Sequence, residues 1–199
     1  MGQAARERST VEALDAFDDD ERIELIDGEI VREDATSFAH GDAQAALIIE
    51  IGSRFRRTGG DGRPGWWIAP EVTVVYEPTQ VFVHDIAGWR KARVPSRPEG
   101  RRVTVRPDWV CEILSANKRN DLVSKRRVLH EHEVPHYWIV DPDALVLTVY
   151  RWHAEGYLLV NSVSPGEVAR LEPFESVELD VSLLLGDLEA GEAVSPKET

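Results

Sequence analysis

Apolar and polar residues alternate over positions 22–32, break at Asp27-Gly28 and resume through Glu29-Ile30-Val31, the signature of a hairpin closed by a type I′ turn. The period then changes. Over about 37–57, Ala43, Leu47, Ile48, Ile51 and Phe55 recur at helical spacing until Gly59-Gly60 ends the pattern, so a long amphipathic helix is predicted. Residues 66–76 and 81–89 are rich in β-branched and aromatic residues and are joined by Glu77-Pro78-Thr79-Gln80, which predicts a second antiparallel hairpin with Asp85 in its second strand. The stretch 90–106 holds Pro95, Pro98 and Gly100 and almost no apolar residue, which predicts an exposed, mobile loop.

A strand over 109–114 leads to a helix over about 120–133, which Pro135 ends. At 100° per residue, Asp121, Leu122, Lys125, Val128, Leu129 and His132 share one stripe, whereas Arg119, Arg126, His130 and Glu133 lie opposite, so Asp121 and Lys125 face inward. Strands over 137–141, 145–152 and 157–163 complete a mixed sheet. Segments 1–19 and 186–199 lack periodicity and are expected to be loosely ordered or disordered, which leaves one domain over 20–185.

Composition narrows the class. The 199 residues are 42% hydrophobic, enough for one well-buried domain. The single cysteine, Cys111, has no internal partner, and neither a signal peptide nor a membrane-spanning run is visible, so a cytoplasmic protein is expected. The formal net charge of -13 argues against a nucleic-acid partner, but its distribution reverses the argument. Residues 51–127 carry 16 Lys and Arg against 8 Asp and Glu, leaving 7 against 28 for the flanks. The surplus falls in three clusters: Arg54, Arg56, Arg57 and Arg63; Arg90, Lys91, Arg93, Arg97, Arg101, Arg102 and Arg106; and Lys118, Arg119, Lys125, Arg126 and Arg127. Any one of these serves as a solvated surface; three around one set of carboxylates favour a polyanionic substrate.

Those carboxylates are the candidate chemistry. Asp85 and Glu112 each sit inside an apolar strand, where a carboxylate is costly to desolvate unless a cation neutralises it. A divalent cation between them, the Ile113 carbonyl as a third ligand and Lys125 beside the attacking oxygen would supply the parts of phosphodiester hydrolysis. The arrangement requires the strands of Asp85 and Glu112 to be neighbours. The plainer reading of Lys125 is an i,i+4 salt bridge with Asp121.

The run Trp109-Val110-Cys111-Glu112-Ile113-Leu114-Ser115, then Asp121-x-x-x-Lys125, then Val134-Pro135-His136-Tyr137-Trp138-Ile139-Val140-Asp141, closely resembles a large bacterial family of restriction-endonuclease-like proteins catalogued as a domain of unknown function, within the PD-(D/E)xK nuclease superfamily. Glu24-Leu25-Ile26-Asp27-Gly28-Glu29 resembles the family's opening hairpin, His40 the histidine leading its first helix, and Asp85 its first metal-binding aspartate. The resemblance implies an α/β fold of restriction-endonuclease-like type, a central mixed β-sheet flanked by α-helices with an N-terminal β-hairpin. It implies Mg2+ or Mn2+ on Asp85 and Glu112, Lys125 as the motif lysine, DNA as substrate and a homodimer. Two departures stand out: Glu112-Ile113-Leu114 replaces Glu-x-Lys, so the lysine comes from the following helix, and His84 replaces the usual proline, a change expected to affect backbone shape alone.

Other candidates are weaker. His130, His132 and His136 suggest a zinc cluster, but Pro135 interrupts the helix between the last two. Asp108 follows a literal Pro107 but reads as strand-entry chemistry. His40, Glu24 and Asp121 are possible auxiliaries, each set against an ordinary structural role. Among the tryptophans, which are mostly core residues in strands, Trp89 beside the basic loop is the candidate for stacking on a base. The principal alternative to a metal-dependent endonuclease is a catalytically inactive nuclease-fold protein that binds nucleic acid or a protein partner. A structural dimer, or a metal hydrolase acting elsewhere, is also compatible with the residues.

Overall fold

The computed structural model describes residues 8–18, 21–33, 36–57, 65–115 and 120–185. Arg63, Lys118, Arg119 and the acidic tail 186–199 lie outside the described residues.

The chain enters through a 3-10 turn, Val11–Ala16, whose Leu14 is buried with Leu25 and Val81. Strands β1 (Ile23–Ile26) and β2 (Glu29–Arg32) form the expected hairpin. Asp27 and Gly28 take φ of 53° and 79°, the left-handed pair a type I′ turn demands. Helix α1 (Phe38–Phe55) starts at Ser37, whose hydroxyl accepts the His40 amide at 3.2 Å. Next come β3 (Trp66–Glu77) and β4 (Gln80–Arg90), paired along nearly their full length.

The following segment is not the free loop its composition suggested. Strand β5 (Arg102–Val103) pairs in parallel with β3, Val103 is buried, and the indoles of Trp67 and Trp89 donate to the Val94 and Val105 carbonyls at 3.0 and 2.9 Å. Two tryptophan N–H groups that need acceptors in an apolar setting fasten the segment to the sheet.

After β6 (Trp109–Ile113), the expected helix over 120–133 opens as a wider π-helical turn, Asn120–Lys125, and tightens into α2 (Arg126–Glu131). Strands β7 (His136–Asp141), β8 (Val146–Arg151) and β9 (Leu158–Val163) follow. A small sheet of β10 (Val168–Ala169) and β11 (Leu179–Asp180) and the short helix α3 (Ser182–Leu185) close the described chain.

The main sheet runs β2-β1-β4-β6-β7-β8-β9, with β3 on the other edge of β4. It is mixed because β6 and β7 are parallel while β4 and β6 are antiparallel. On one face Leu47, Ile51 and Phe55 of α1 pack with Trp66, Ile86, Trp109, Trp138 and Phe174. On the other, Leu129 and Val134 cover Val110, Leu114, Tyr137 and Ile139. Each such fully buried large side chain stabilises the fold by roughly 1.5–3 kcal/mol, so both faces fix β6 and the Glu112 it carries. Among the described residues, no helix is long and apolar enough to cross a membrane.

Candidate active site

The site begins as a gap in the β-ladder. On one edge of β4, β1 pairs at Val81 and β6 joins from Ile86 to Gly88, so β1 and β6 diverge between those points. Buried amides require acceptors, and here carboxylates replace carbonyls. Val83 N donates to Glu24 Oε1 at 2.8 Å, and Asp85 N to Glu112 Oε2 at 3.4 Å. In return the Ile113 amide donates to Asp85 Oδ2 at 2.7 Å. The strands of Asp85 and Glu112 are therefore neighbours, as the chemistry required.

The strand also rolls over at this point. Phe82 packs against Val128 on the α2 face, whereas Ile86, of the same parity, packs with Leu47 and Trp109 on the α1 face. Opposite the roll, Glu71 of β3 holds a left-handed φ of 50°, costly for a residue with a Cβ and commonest near functional sites. As a result Asp85 Oδ1 looks toward α1. It lies 3.2 Å from His40 Nε2 and 2.9 Å from Arg22 Nη2, which also lies 3.3 Å from Glu71. Gln44, one turn after His40, donates to Glu71 Oε1 at 2.7 Å and to the Asp85 carbonyl at 2.9 Å.

Lys125 enters the fork from the π-helical turn, where it is 3% exposed. Its Nζ lies 2.9 Å from Glu24, 3.0 Å from Asp121 and 3.7 Å from Glu112. The i,i+4 pair with Asp121 is real, and so is the contact with Glu112. Tyr137 donates its hydroxyl to the Asp121 carbonyl at 2.9 Å and holds the turn in place. Arg22, His40, Asp85, Glu112, Ile113, Asp121 and Lys125 line one small cleft.

Charge states differ across the cleft. Burial would raise the Asp85 carboxyl, but His40, the Ile113 amide and Lys125 outweigh it and hold it at about 2. Burial lifts Glu24 to about 8 despite Lys125, and lifts Glu112 well above the carboxylate range with Asp85, Asp121 and Glu24 adding to the effect. Asp121 also rises through burial. For Lys125, burial acts downward, yet Glu112, Glu24 and Asp121 raise it well above an ordinary lysine. It is a fixed cation.

A comparison with protein families decides the affiliation: the model of the Uma2 family, described as "Putative restriction endonuclease", matches residues 9–182. The chain belongs to the Uma2 family. The crystal structure of a "putative nuclease belonging to DUF820" from Anabaena variabilis ATCC 29413 has the same fold, with a TM-score of 0.64 and 21% identity over 82% of this chain and 89% of that one. No curated protein matches the chain. The restriction-endonuclease-like fold expected from the sequence is thus that of the Uma2 chain described above.

Several expectations for this Uma2 protein need correction. His84 does more than shape the backbone: its Nδ1 lies 2.5 Å from Glu112 Oε1 and its Nε2 2.8 Å from the Tyr76 hydroxyl. Burial and Lys125 push His84 well below its ordinary value, so a neutral ring can donate to Glu112 and accept from Tyr76. Much of the basic segment is engaged within the chain. Arg93 binds Asp108 at 2.7 Å and the Arg106 carbonyl, Arg102 binds Asp15 at 2.7 Å, Lys91 reaches the Arg56 carbonyl over the Trp67 ring, and Arg90 lies over Trp66. Asp108 is a structural anchor, since it also accepts the Arg90 amide at 2.7 Å. Trp89 is 2% exposed and cannot stack on a base. The three histidines part company: His130 contacts the His153 carbonyl, His132 contacts Glu77, and His136 contacts Arg90. The residues that sequence reasoning missed are Arg22, Gln44, Glu71 and the side chain of His84.

Proposed function

We propose that the protein is a divalent-cation-dependent endonuclease that hydrolyses DNA phosphodiester bonds, with Asp85, Glu112 and Lys125 as its central residues. The supporting observation is the convergence at one fork of an ionised carboxylate, a second buried carboxylate and a buried ammonium. The donor chemistry fits Mg2+ or Mn2+: carboxylate oxygens are hard ligands, and Glu24 Oε2 is buried without a hydrogen-bond partner. Asp85, Glu112 and the Ile113 carbonyl would hold the ion, which when bound polarises a phosphoryl oxygen and lowers the pKa of water.

The chain's own residues do the rest. Lys125, charged and braced by Glu24 and Asp121, stabilises the negative charge that develops as the water oxygen bonds to phosphorus and the P–O ester bond breaks. Because it stays protonated, it acts as a cation and not as the base. His84 and Tyr76 fix the orientation of Glu112. A shallow groove beside Glu71, lined by Arg56, Arg97 and Arg101, gives a phosphate backbone a basic approach. Assembly as a homodimer belongs to the same proposal, and sedimentation reads it.

The test is cleavage of supercoiled and linear DNA with Mg2+ or Mn2+ and with chelator. Turnover should require the metal and fall by about a hundredfold or more in Asp85→Asn and Glu112→Gln, since several kcal/mol of charge stabilisation are removed. Salt-sensitive DNA binding that survives both substitutions, with no turnover in the unmodified protein, would instead identify an inactive nuclease-fold binding protein.

A further inference from the structure

Helix α1 is apolar on two sides. Its inner side, with Leu47, Ile51 and Phe55, packs on the sheet. At 100° per residue, Phe38, Asp42, Ala45, Ala46, Ile49 and Ser53 form the opposite side, where Phe38 is 90% and Ile49 63% exposed. Single apolar residues on a surface are ordinary, but the solvent side of a helix normally carries charges along its length. Among the described residues, no other element holds two large apolar side chains more than half exposed: Val123, Leu159, Val168 and Leu183 lie on four separate ones. A continuous apolar stripe with polar ends marks a docking surface.

The charges at the ends of the stripe say what fits it. Asp42 is exposed in the second turn, and Arg57 is exposed just past the helix end. Between them Ala45, Ala46, Ile49 and Ser53 carry no charge, and on the flank Glu50 and Arg54 already pair with each other at 2.6 Å. An acidic start and a basic end make the stripe complementary to itself when a second copy lies on it antiparallel. With the two-fold axis midway between Ala46 and Ile49, each Ile49 meets the small Ala46 of the second copy, which lets the helices approach closely. Asp42 then faces the turn from Ser53 to Arg57, and the Phe38 ring faces the Arg57 guanidinium.

We propose that the side of α1 bearing Phe38 and Ile49 is the surface on which two copies of the chain pair, antiparallel about a two-fold axis. This gives a face to the homodimer put forward above and rests on that reading, but it also fixes what the pairing does. His40 and Gln44, which reach Asp85, leave α1 from the side opposite the stripe. Each cleft is therefore built on the far side of its own helix, and the second copy adds no residue to it. The pair holds two independent centres, each complete in one chain.

The experiment is sedimentation of the full chain over a range of concentrations, together with DNA cleavage measured per chain. The unmodified chain should dimerise. Ile49→Glu and Phe38→Glu should each weaken association by at least roughly tenfold, as expected of apolar anchors, and leave the urea midpoint and cleavage per chain unchanged. Asp42→Arg and Arg57→Asp should each weaken it several-fold, and mixing these two single variants should restore it, because each supplies the charge the other has lost. Only contact between two copies gives that recovery. A dimer that Ile49→Glu and Phe38→Glu leave intact overturns this face and spares the homodimer. A chain that is monomeric at every concentration overturns the pairing and assigns the stripe to another occupant. Cleavage lost together with dimerisation overturns the independence of the two centres. Dimerisation that follows these variants in a chain that does not cleave supports the face and counts against the nuclease reading instead.

Discussion

Two groups of acidic side chains meet at the fork, built from the same residue types and only a strand apart, yet they hold their protons differently. Around Asp85, an imidazole, a backbone amide and the Lys125 ammonium outweigh burial and keep one carboxylate ionised to about pH 2, and a guanidinium binds the same carboxylate. Around Lys125, burial keeps Glu24, Glu112 and Asp121 above their ordinary range, although a lysine stands among them. One ammonium cannot offset three desolvated carboxylates. On the proposed function, the Asp85 half is the one that would receive the cation, and the Lys125 half holds its protons in the metal-free chain.

The largest way to break this contrast is Lys125→Met, which leaves Glu24, Glu112 and Asp121 without their cation. A loss of about 3–5 kcal/mol in urea denaturation is expected at neutral pH, together with loss of cleavage. Asp85→Asn comes next. It removes a charge that accepts from Arg22 and Ile113, and about 1–3 kcal/mol should be lost at neutral pH.

The pH dependence separates the halves. Glu24 has its folded value raised to about 8 from 4.5, so the folded state holds the extra proton between those limits. Its contribution is complete below about pH 4.5 and is lost as pH rises to about 8, on the order of 1 kcal/mol per pH unit at most. Denaturation midpoints across that range should flatten in Glu24→Gln; an unchanged slope would show that the proton resides elsewhere. Asp85, being depressed, acts in the opposite sense, and its contribution is lost as pH falls from 3.8 through about 2. The smallest effect is expected of Glu112→Gln. An amide resembles the protonated acid that burial favours, so stability should change by less than about 1 kcal/mol even as cleavage is lost. A loss comparable to that of Lys125→Met would mean that Glu112 is ionised in the folded protein.

Features set by local chain chemistry were legible in the sequence. Asp27-Gly28 announces its turn, Ser37 its helix start, and the helical period turns Asp121 and Lys125 inward even though the first turn is π-helical. Asp85 and Glu112 stood out because charges inside apolar strands are rare. What stayed hidden depends on register and on the partners it brings together. Glu71 reads as an ordinary strand residue after Pro70, and nothing local signals its left-handed backbone or its alignment opposite the roll in β4. Arg22 and Gln44 reach Asp85 across 63 and 41 positions of the chain. The basic segment misled for a related reason: low hydrophobicity marks it as surface but does not show that two strand indoles, one buried and one half-buried, bind its carbonyls.

The break in the ladder also furnishes a built-in sensor. The Val83 and Asp85 amides are protected by carboxylates and not by a neighbouring strand, so their solvent deuterium uptake should follow the state of those side chains independently of the sheet around them. A cation that draws Glu112 away would quicken exchange at Asp85 while the flanking amides at Ile86 and beyond stay slow, which makes the backbone of β4 a readout of occupancy.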